Sequence, residues 1–416
     1  MNHAFSLTQA AGNGGGAALR VLGAAYPGRL ATTRGGSALV QDADGSFQPA
    51  AADTPRFSGA ARRLLVEGTR SNAIRNPRAE GATSGTPGTM PANWSMATLG
   101  GVSASVAGVG TELGLPYVDL RYTGTPSASG YLVILPEPIT TIAAAAGQVW
   151  TASVFLRLVA GSLAGIDTFR CRVQERLPAA GPATDSFVSP GAMPQRVSIT
   201  RTLTESSVAT IGFSILPAVV AGAAVDFTLR VSAPQVELAA FASSPVLPPP
   251  GTPAASTRAA DLPLWAPPGG FGTQGTLVVR AVLPQIAPFG ASQGLWQLDD
   301  GTDQNRLQLR NTSAGSAITG VVDVGGSTVA TLSGGNMAVG QPFRAAFAWA
   351  PGDQALCLSG GTLQSAAAAL PPGLARLLVG HASGQLNRAA HGEVELVEYR
   401  PSRVPNALLQ ALANAA

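Results

Sequence analysis

The stretch APQVELAAFASSPVLPPPGTPAASTRAAD, Ala233 to Asp261, decides how this chain is divided. Its first part, Gln235 to Phe241, alternates apolar and polar side chains, which predicts a closing β-strand with one apolar face. Five prolines follow between Pro245 and Pro253. Because each proline fixes φ and removes a backbone donor, no regular element continues through them. The stretch therefore predicts a stiff, extended spacer over residues 246–274 with a β domain on each side.

The composition is that of a rigid β protein. The 416 residues suffice for two domains and an extra segment, and 45% of them are hydrophobic while only 12% are charged. The arginines that give the net charge of +3 are scattered without aromatic interleaving, which argues against nucleic acid binding. The sequence contains no lysine, so lysine-dependent chemistry is excluded.

Two further features bear on the compartment. Cys171 and Cys357 lie in different predicted domains on apolar alternating strands, which favours two buried free thiols over an interdomain disulfide. The N-terminus has no basic region followed by an apolar core, and no apolar run reaches the length of a membrane span. We expect synthesis in a reducing cytoplasm and no membrane insertion.

Short strands account for most of the chain. Residues 71–245 carry seven short apolar runs separated by Gly, Pro and Ser clusters, which predicts an antiparallel sandwich. Period-two strands return over residues 275–404, followed by a short helix capped by Asn406 with one apolar face, formed by Leu408, Leu409 and Leu412. Residues 1–70 have weak periodicity, so we expect extended chain and small hairpins that order against something else.

The densest acidic cluster is the DDGTDQN loop. Oxygens of Asp299, Asp303 and Asn305 could accept hydrogen bonds from sugar hydroxyls or coordinate a Ca²⁺ ion. The alternative is a polar hairpin turn, since Asp-Gly is a favoured two-residue turn. His381 begins a second loop in which Asn387 and Arg388 supply hydrogen-bond donors at the predicted rim of the second sandwich. That loop could also bind sugar, or could simply be solvated.

Aromatic residues, the other usual contacts of a sugar, are only 6% of the chain. Four tryptophans are predicted to be core residues because they lie in or beside predicted strands, namely Trp94, Trp150, Trp296 and Trp349. Trp265, within the predicted spacer, is expected to be exposed. Three tyrosines of the first sandwich are candidate stacking platforms, namely Tyr117, Tyr122 and Tyr131.

No catalytic constellation is recognisable. The many glycines occur without a nucleophile elbow, a P-loop or a dinucleotide fingerprint in the required strand-to-helix context. His3, His381 and His391 stand at no metal-ligand spacing, so a zinc site is not expected. A glycosidase would need two carboxylates spaced across a cleft, and none can be paired from the sequence. We therefore predict a protein that is not an enzyme.

Two strings at the ends of the first domain resemble a module of bacteriophage tail and fibre proteins. The first is "PRF" at Pro55–Phe57 followed by LLVEGTRSNAIRN at Leu64–Asn76. The second is PQVELAAFASSPVLP followed by STRAADLP, within Pro234–Pro263. This resemblance implies a structural virion protein, with residues 1–70 as a particle-attachment segment and residues 71–416 able to fold without it.

Two further resemblances concern the domains. Residues 71–245 resemble carbohydrate-binding jelly rolls through an opening pattern of Asn76, Gly81, Pro91 and Trp94, although Ala79 stands where that pattern often has an aromatic residue. Residues 275–416 resemble concanavalin-like, laminin-G-type lectin sandwiches, mainly through Gly392–Leu412 and the Trp349–Gly361 hairpin. The predicted fold is thus all-β, with a jelly roll, a concanavalin-like sandwich, an extended N-terminal segment and a short C-terminal helix.

These resemblances imply a head or tail fibre or spike at the virion surface that attaches to host surface polysaccharide. The partners would be that polysaccharide, capsid or tail proteins and further copies of the chain, as a trimer or, at a capsid vertex, a pentamer. No cofactor is implied beyond the possible Ca²⁺. The alternatives are a glycan depolymerase of a tail spike and an assembly protein without a glycan ligand. The carbohydrate-binding candidates are Asp299, Asp303, Asn305, His381, Asn387, Arg388 and Tyr122.

Overall fold

The computed structural model describes residues 4–7, 20–24, 30–177 and 179–415, with side chains from residue 30 onward. The chain forms two compact units. Unit 1 combines the residues before Arg70 with those from Arg258 onward, and unit 2 is Arg70–Thr257. In the part of the chain just given, one helix of nine residues is present, and no helix is long and apolar enough to cross a membrane.

The strands of unit 1 that precede unit 2 are β1 (Ala4–Leu7), β2 (Arg20–Ala24), β3 (Ala31–Thr33), β4 (Ala38–Gln41), β5 (Phe47–Ala50), β6 (Arg56–Ser58) and β7 (Arg63–Val66).

The strands of unit 2 are β8 (Arg70–Asn72), β9 (Ser95–Ala97), β10 (Val102–Glu112), β11 (Leu115–Gly124), β12 (Gly130–Tyr131), β13 (Val133–Leu135), β14 (Ile142–Ala143), β15 (Val149–Ser162), β16 (Ile166–Arg176), β17 (Ala180–Phe187), β18 (Gln195–Thr202), β19 (Thr210–Val219) and β20 (Val225–Glu237), and β21 (Ser256–Arg258) pairs with β8 where the chain leaves the unit.

The later elements of unit 1 are β22 (Leu262–Trp265), β23 (Gly275–Val282), β24 (Ser292–Asp299), β25 (Arg306–Thr312), β26 (Ala317–Val324), β27 (Ser327–Asn336), β28 (Phe343–Ala350), β29 (Asp353–Leu358), β30 (Gln364–Ala366), β31 (Arg376–Val379), β32 (Gly392–Arg400) and helix α1 (Asn406–Asn414).

Unit 2 is an antiparallel sandwich of two sheets. One sheet has the order β10-β11-β20-β15-β18, and the other has the order β17-β16-β19-β13-β9, with β12 and β14 also paired to β19. Alternate residues of both sheets bury one shared core, to which Leu120 and Phe227 contribute from the first sheet and Phe213 from the second. The closing strand ends at Glu237, earlier than the pattern predicted, and Leu238 is exposed.

Unit 1 is a second sandwich. One sheet follows β1-β2-β32-β23-β28-β29-β30, with β7 and β6 added beside β32, and the other follows β27-β26-β25-β24-β31-β22-β3. Their inner faces bury a core that includes Trp296 and Phe347, whose rings meet edge to face at 5.6 Å. The prediction of an all-β fold with two antiparallel sandwiches is confirmed.

The N-terminal segment differs from its prediction. Strand β2 runs parallel to β32, β7 pairs antiparallel with β32, and β3 pairs with β22. Phe57, Leu64 and Val66 lie in the unit 1 core. An exposed sheet edge offers unpaired backbone groups, and these short strands pair with it within the same chain. The described residues before Arg70 therefore belong to the same compact unit as the C-terminal sandwich, which argues against the predicted independent folding of residues 71–416.

The predicted spacer also contains structure. The alternation Leu262-Pro263-Leu264-Trp265 follows the proline cluster and forms β22 inside a sheet. Trp265 is only 3% exposed and meets Phe271 and Tyr399 edge to face. The expectation that Trp265 is exposed was wrong, because the spacer is shorter than its composition suggested. The other four tryptophans are buried as predicted.

A buried charge network joins these two regions of unit 1. The Asp261 carboxylate accepts a hydrogen bond of 2.8 Å from Arg34 Nη1 and also forms an ion pair with Arg56. The Glu67 carboxylate forms ion pairs with Arg56 Nη2 at 2.8 Å and with Arg258 Nη1 at 2.9 Å. All five residues are at most 5% exposed. Four of them lie in the two strings singled out in the sequence, so those strings bring paired internal charges into unit 1.

The C-terminal helix has a different face from the predicted one. Asn406 is its first helical residue and Pro405 occupies the cap position without a side-chain hydrogen bond. Leu409 and Ala413 are buried against the outer face of the sheet that contains β28 and β29, whereas Leu408 is 41% exposed. The two cysteines are buried free thiols in separate units, as predicted.

Candidate functional site

The outer face of one unit 1 sheet is polar although much of it is buried. Its inward residues, such as Trp296 and Leu298, belong to the core, so the alternate positions face outward. We call the following five outward residues the polar sheet face: Gln297 and Asp299 on β24, Arg306 and Gln308 on β25, and Asp323 on β26.

The side chains of the polar sheet face are linked to one another by charge-assisted hydrogen bonds. Arg306 Nε donates to Asp323 at 2.7 Å, and Gln308 donates to the same carboxylate at 2.9 Å. Gln297 Nε2 donates to Asp299 at 2.7 Å. Such bonds are strong and fix the side chains that make them. The face is therefore a preorganised polar surface.

The DDGTDQN loop closes one end of this face. Asp299 accepts Arg376 Nε at 2.5 Å and the Gly301 amide at 2.8 Å. Asp303 accepts Ser383 Oγ at 2.6 Å, which ties the loop to the segment 381–389. The Asn305 side chain donates a hydrogen bond to the Asp300 carboxylate and accepts one from the Gly325 backbone amide. Burial alone would raise the pKa of Asp303, but the bonds from Ser383, Gly384 and Gln297 lower it below its usual value.

The loop does not fit a Ca²⁺ ion. Its candidate ligand oxygens already accept guanidinium, amide and hydroxyl donors, and a cation would have to displace the positive charges of Arg376 and Arg306. Among the residues that the structure describes, no three His, Cys, Asp or Glu side chains are grouped to hold a metal. The geometry favours the hairpin-turn alternative for this loop.

His381 is an interior residue, which corrects its assignment to the rim. Its ring is 0% exposed, and Nε2 lies 2.5 Å from the Asp261 carbonyl oxygen. Burial lowers the pKa of His381 below its usual value. The burial of His381 could not be predicted from local pattern, because β22 approaches the His381 loop only in the folded chain.

Asn387 and Arg388 lie nearer to solvent. Asn387 is exposed, and Arg388 is half-buried with its carbonyl accepting the amides of Gly294 and Ala382. The close approach requires glycine, because a Cβ on Gly294 would stand 2.0 Å from the Ala382 nitrogen. Opposite Gly294 on β25 lies Arg310, a residue that the sequence interpretation missed.

In unit 2, Tyr122 is not a platform. It is 0% exposed and stacks on Phe227 with ring centroids 5.2 Å apart inside the core. Burial raises the pKa of its hydroxyl, which has no hydrogen-bond partner among the described residues. Its alternation with Leu120 and Val118 on β11 could have placed it in the core.

An aromatic surface is instead present on the outer face of the other unit 2 sheet. The Arg170 guanidinium lies 4.3 Å from the centroid of the Tyr131 ring and 5.9 Å from that of Phe187. Phe187 is 66% exposed and Tyr131 is 39% exposed. Asp185 anchors the guanidinium through a 2.7 Å contact and also accepts two bonds from Arg172. We call Tyr131, Arg170 and Phe187 the aromatic platform.

The sequence suggested Tyr131 but neither of its neighbours. Phe187 pairs directly with Arg170 across β16 and β17, so both side chains leave the same face. An exposed phenylalanine on a strand end is indistinguishable from a core residue until the register is known. The platform is therefore a product of strand pairing.

No protein-family model matches this chain, and no curated protein matches it. Among solved structures, the chain is similar to the CBM40 of Ruminococcus gnavus IT-sialidase bound to alpha2,3 sialyllactose, with 18% identity, a TM-score of 0.30 and coverage of 34% of this chain and 83% of that chain. It is also similar to the LG4-5 domains of mouse laminin alpha1, with 11% identity, a TM-score of 0.26 and coverage of 70% and 91%.

A third similar structure is the N-terminal CBM22-1-CBM22-2 tandem domain of Paenibacillus barcinonensis Xyn10C, with 12% identity, a TM-score of 0.26 and coverage of 79% of this chain and 96% of that chain. These neighbours are carbohydrate-binding modules and laminin G domains. At such identities and TM-scores, the fold and function of this chain have to be argued from its own sheets and side chains.

Proposed function

We propose that this chain is a non-enzymatic attachment protein, a fibre or spike of a bacteriophage or phage-derived particle that binds host surface polysaccharide through its sandwiches. The observation that carries the glycan ligand is the aromatic platform of unit 2. Sugar rings present apolar C–H faces that stack on exposed aromatic rings, and their hydroxyls need nearby polar partners. The platform offers both, since Arg170 lies against the two rings and is bonded to the Asp185 carboxylate.

The attachment role rests on the resemblance of Pro55–Phe57, Leu64–Asn76 and the Pro234–Pro263 strings to phage fibre proteins. A particle would repeat weak sugar sites over many copies, and multivalency would turn them into firm attachment. We therefore propose a homo-oligomer, a trimer or a vertex pentamer, at the virion surface with capsid or tail proteins as partners.

Substitution of the platform tests the proposal. Phe187→Ala and Tyr131→Ala are each expected to weaken binding of the protein to host cells by about tenfold, because each removes a stacking face worth roughly 1–2 kcal/mol. Binding is measured by flow cytometry with labelled protein, on cells with and without their surface polysaccharide.

Tyr117→Ala is the matched control. Tyr117, the third tyrosine suggested by the sequence, is half-buried, and the centroid of its ring lies 3.4 Å from the Arg230 guanidinium on the other unit 2 sheet. It therefore repeats the tyrosine-arginine contact outside the platform. Unchanged binding of the two platform variants, or equal loss in the control, would contradict the platform. Release of reducing ends from host polysaccharide by the wild-type protein would favour a depolymerase instead.

A further inference from the structure

Unit 1 carries positive charge without a matching carboxylate at one end of the polar sheet face. Three aspartates of the face and its closing loop are paired with other arginines, namely Asp323 and Asp303 with Arg306, and Asp299 with Arg376. Asp300 accepts hydrogen bonds from Thr302 and Asn305. Arg310 and Arg388 make no ion pair with any carboxylate in the described parts of the chain. This leaves two half-buried guanidinium groups without a direct ion pair.

The two arginines leave the backbone beside the same residue. Arg310 is the cross-strand partner of Gly294, and the Gly294 amide donates to the Arg388 carbonyl at 3.0 Å. Arg310 shares the outer face with Gln308, to which its Nη1 donates at 3.3 Å. Burial, and then the positive charges of Arg388 and Arg306, lower the pKa of Arg310, whereas the Asp323 carboxylate raises it by a smaller amount. The charges of Arg310 and Arg388 are therefore close enough to repel each other.

Each of the two arginines also has an unused buried donor. Nε of Arg310 and Nη1 of Arg388 are shielded from solvent and meet no hydrogen-bond acceptor among the described residues. A buried donor without a partner and a pair of like charges both cost free energy. An anionic oxygen group placed between the guanidinium forks would relieve both costs at once.

We propose that Arg310 and Arg388 bind the carboxylate of an acidic sugar in the host polysaccharide. The inference rests on the proposed function and narrows its ligand to polysaccharides that contain uronic acids. A planar carboxylate matches the planar fork of arginine and can accept bonds from both side chains. Exposed Asn387, next to Arg388, is available for a neighbouring hydroxyl.

The test uses the full chain and three soluble probes in calorimetry: a polyuronate such as alginate, uncharged dextran, and inorganic sulfate as a competitor. The wild-type protein is expected to bind the polyuronate more tightly than dextran, with affinity that falls as salt is added. Arg310→Gln and Arg388→Gln are each expected to weaken polyuronate binding by about tenfold or more. Sulfate is expected to compete only weakly.

The control is Arg344→Gln, since Arg344 is also half-buried without a described carboxylate partner but lies on the opposite sheet of unit 1. It is expected to bind the polyuronate like the wild type. The melting temperature of Arg310→Gln should equal or exceed that of the wild type, because one of two repelling charges is gone. Arg310→Lys, which keeps the charge and loses the fork, should bind with intermediate affinity.

Wild-type affinity for the polyuronate in both glutamine variants would overturn the site, as would equal loss in Arg344→Gln. Absence of polyuronate binding by the wild type would overturn it too, and tight binding of sulfate without competition by the polyuronate would mean a site for free anions only. Host-cell binding that is lost in Phe187→Ala and intact in the arginine variants would overturn the arginine site alone. Host-cell binding that is lost in the arginine variants and intact in Phe187→Ala would support the arginine site and contradict the aromatic platform.

Discussion

Some single polar residues inside the sandwiches are held by complete sets of hydrogen bonds. Asn72, for example, donates to the carbonyls of Pro234 and Val246 and accepts the amides of Ile74 and Val236. A buried amide that fills all its bonds fixes the chain segments that it touches. Tyr122 is an exception, because its buried hydroxyl has no described partner.

Tyr122→Phe is therefore expected to stabilise unit 2 by roughly 1 kcal/mol. It removes an unsatisfied buried hydroxyl and keeps the stacking on Phe227. Urea unfolding monitored by circular dichroism measures the change. Tyr117→Phe, at a half-buried position, is the control and should change stability by less than about 0.5 kcal/mol. A less stable Tyr122→Phe protein would mean that the hydroxyl has a partner.

At the scale of elements, short N-terminal strands are tied to the later sheets by internal charge. Strands β3 and β7 each pair with a strand from beyond residue 257, and Arg34, Arg56 and Glu67 join Arg258 and Asp261 near these pairings. Two carboxylates share three guanidinium groups, so each carboxylate has two arginine partners, and removal of Asp261 takes away the ion pair of buried Arg34.

Asp261→Asn is expected to destabilise unit 1 by about 3–5 kcal/mol, because Arg34 and Arg56 lose a buried counter-charge. Thermal unfolding of the full chain measures it. Arg62→Gln provides the comparison, since its ion pair with Asp42 is partly exposed, and it should cost less than about 1 kcal/mol. Similar melting temperatures for Asp261→Asn and the wild type would show that the network adds little to stability.

At the scale of the molecule, the chain contains one continuous sandwich and one discontinuous sandwich. Unit 2 is a single segment, Arg70–Thr257, with its own core, whereas unit 1 is assembled from both ends of the chain. A unit built from a continuous segment can fold without the rest, but a unit that borrows strands from a distant segment cannot.

Truncated fragments of the chain test whether each unit folds without the rest. A fragment of residues 70–257 is expected to unfold cooperatively, as a folded domain does. A fragment of residues 71–416 lacks Phe57, Leu64, Val66 and two arginines of the charge network, so its unit 1 part should be degraded in limited proteolysis while its unit 2 part resists. Equal resistance of both parts would contradict the contribution of the N-terminal strands to the unit 1 core.

The sequence by itself determined the class of fold. Period-two alternation and glycine-proline punctuation are local properties, so they predicted two antiparallel sandwiches, buried cysteines and four buried tryptophans without knowledge of strand pairing. Local patterns do not say which strand lies beside which. For that reason the position of the described residues before Arg70 in unit 1, and of β22 within a sheet, was decided only by tertiary pairing.

The candidate sites depended on tertiary structure even more strongly. His381 and Tyr122 were plausible at the surface from their polar groups, and both are interior because a neighbouring strand or the opposite sheet covers them. The aromatic platform and the pair of Arg310 and Arg388 each unite residues from different strands or loops, and register alone brings such residues to one face. Alternation along a strand predicts which side chains point to the same side of the sheet. Only the pairing of strands in the folded sheet decides which residues of other strands lie beside them.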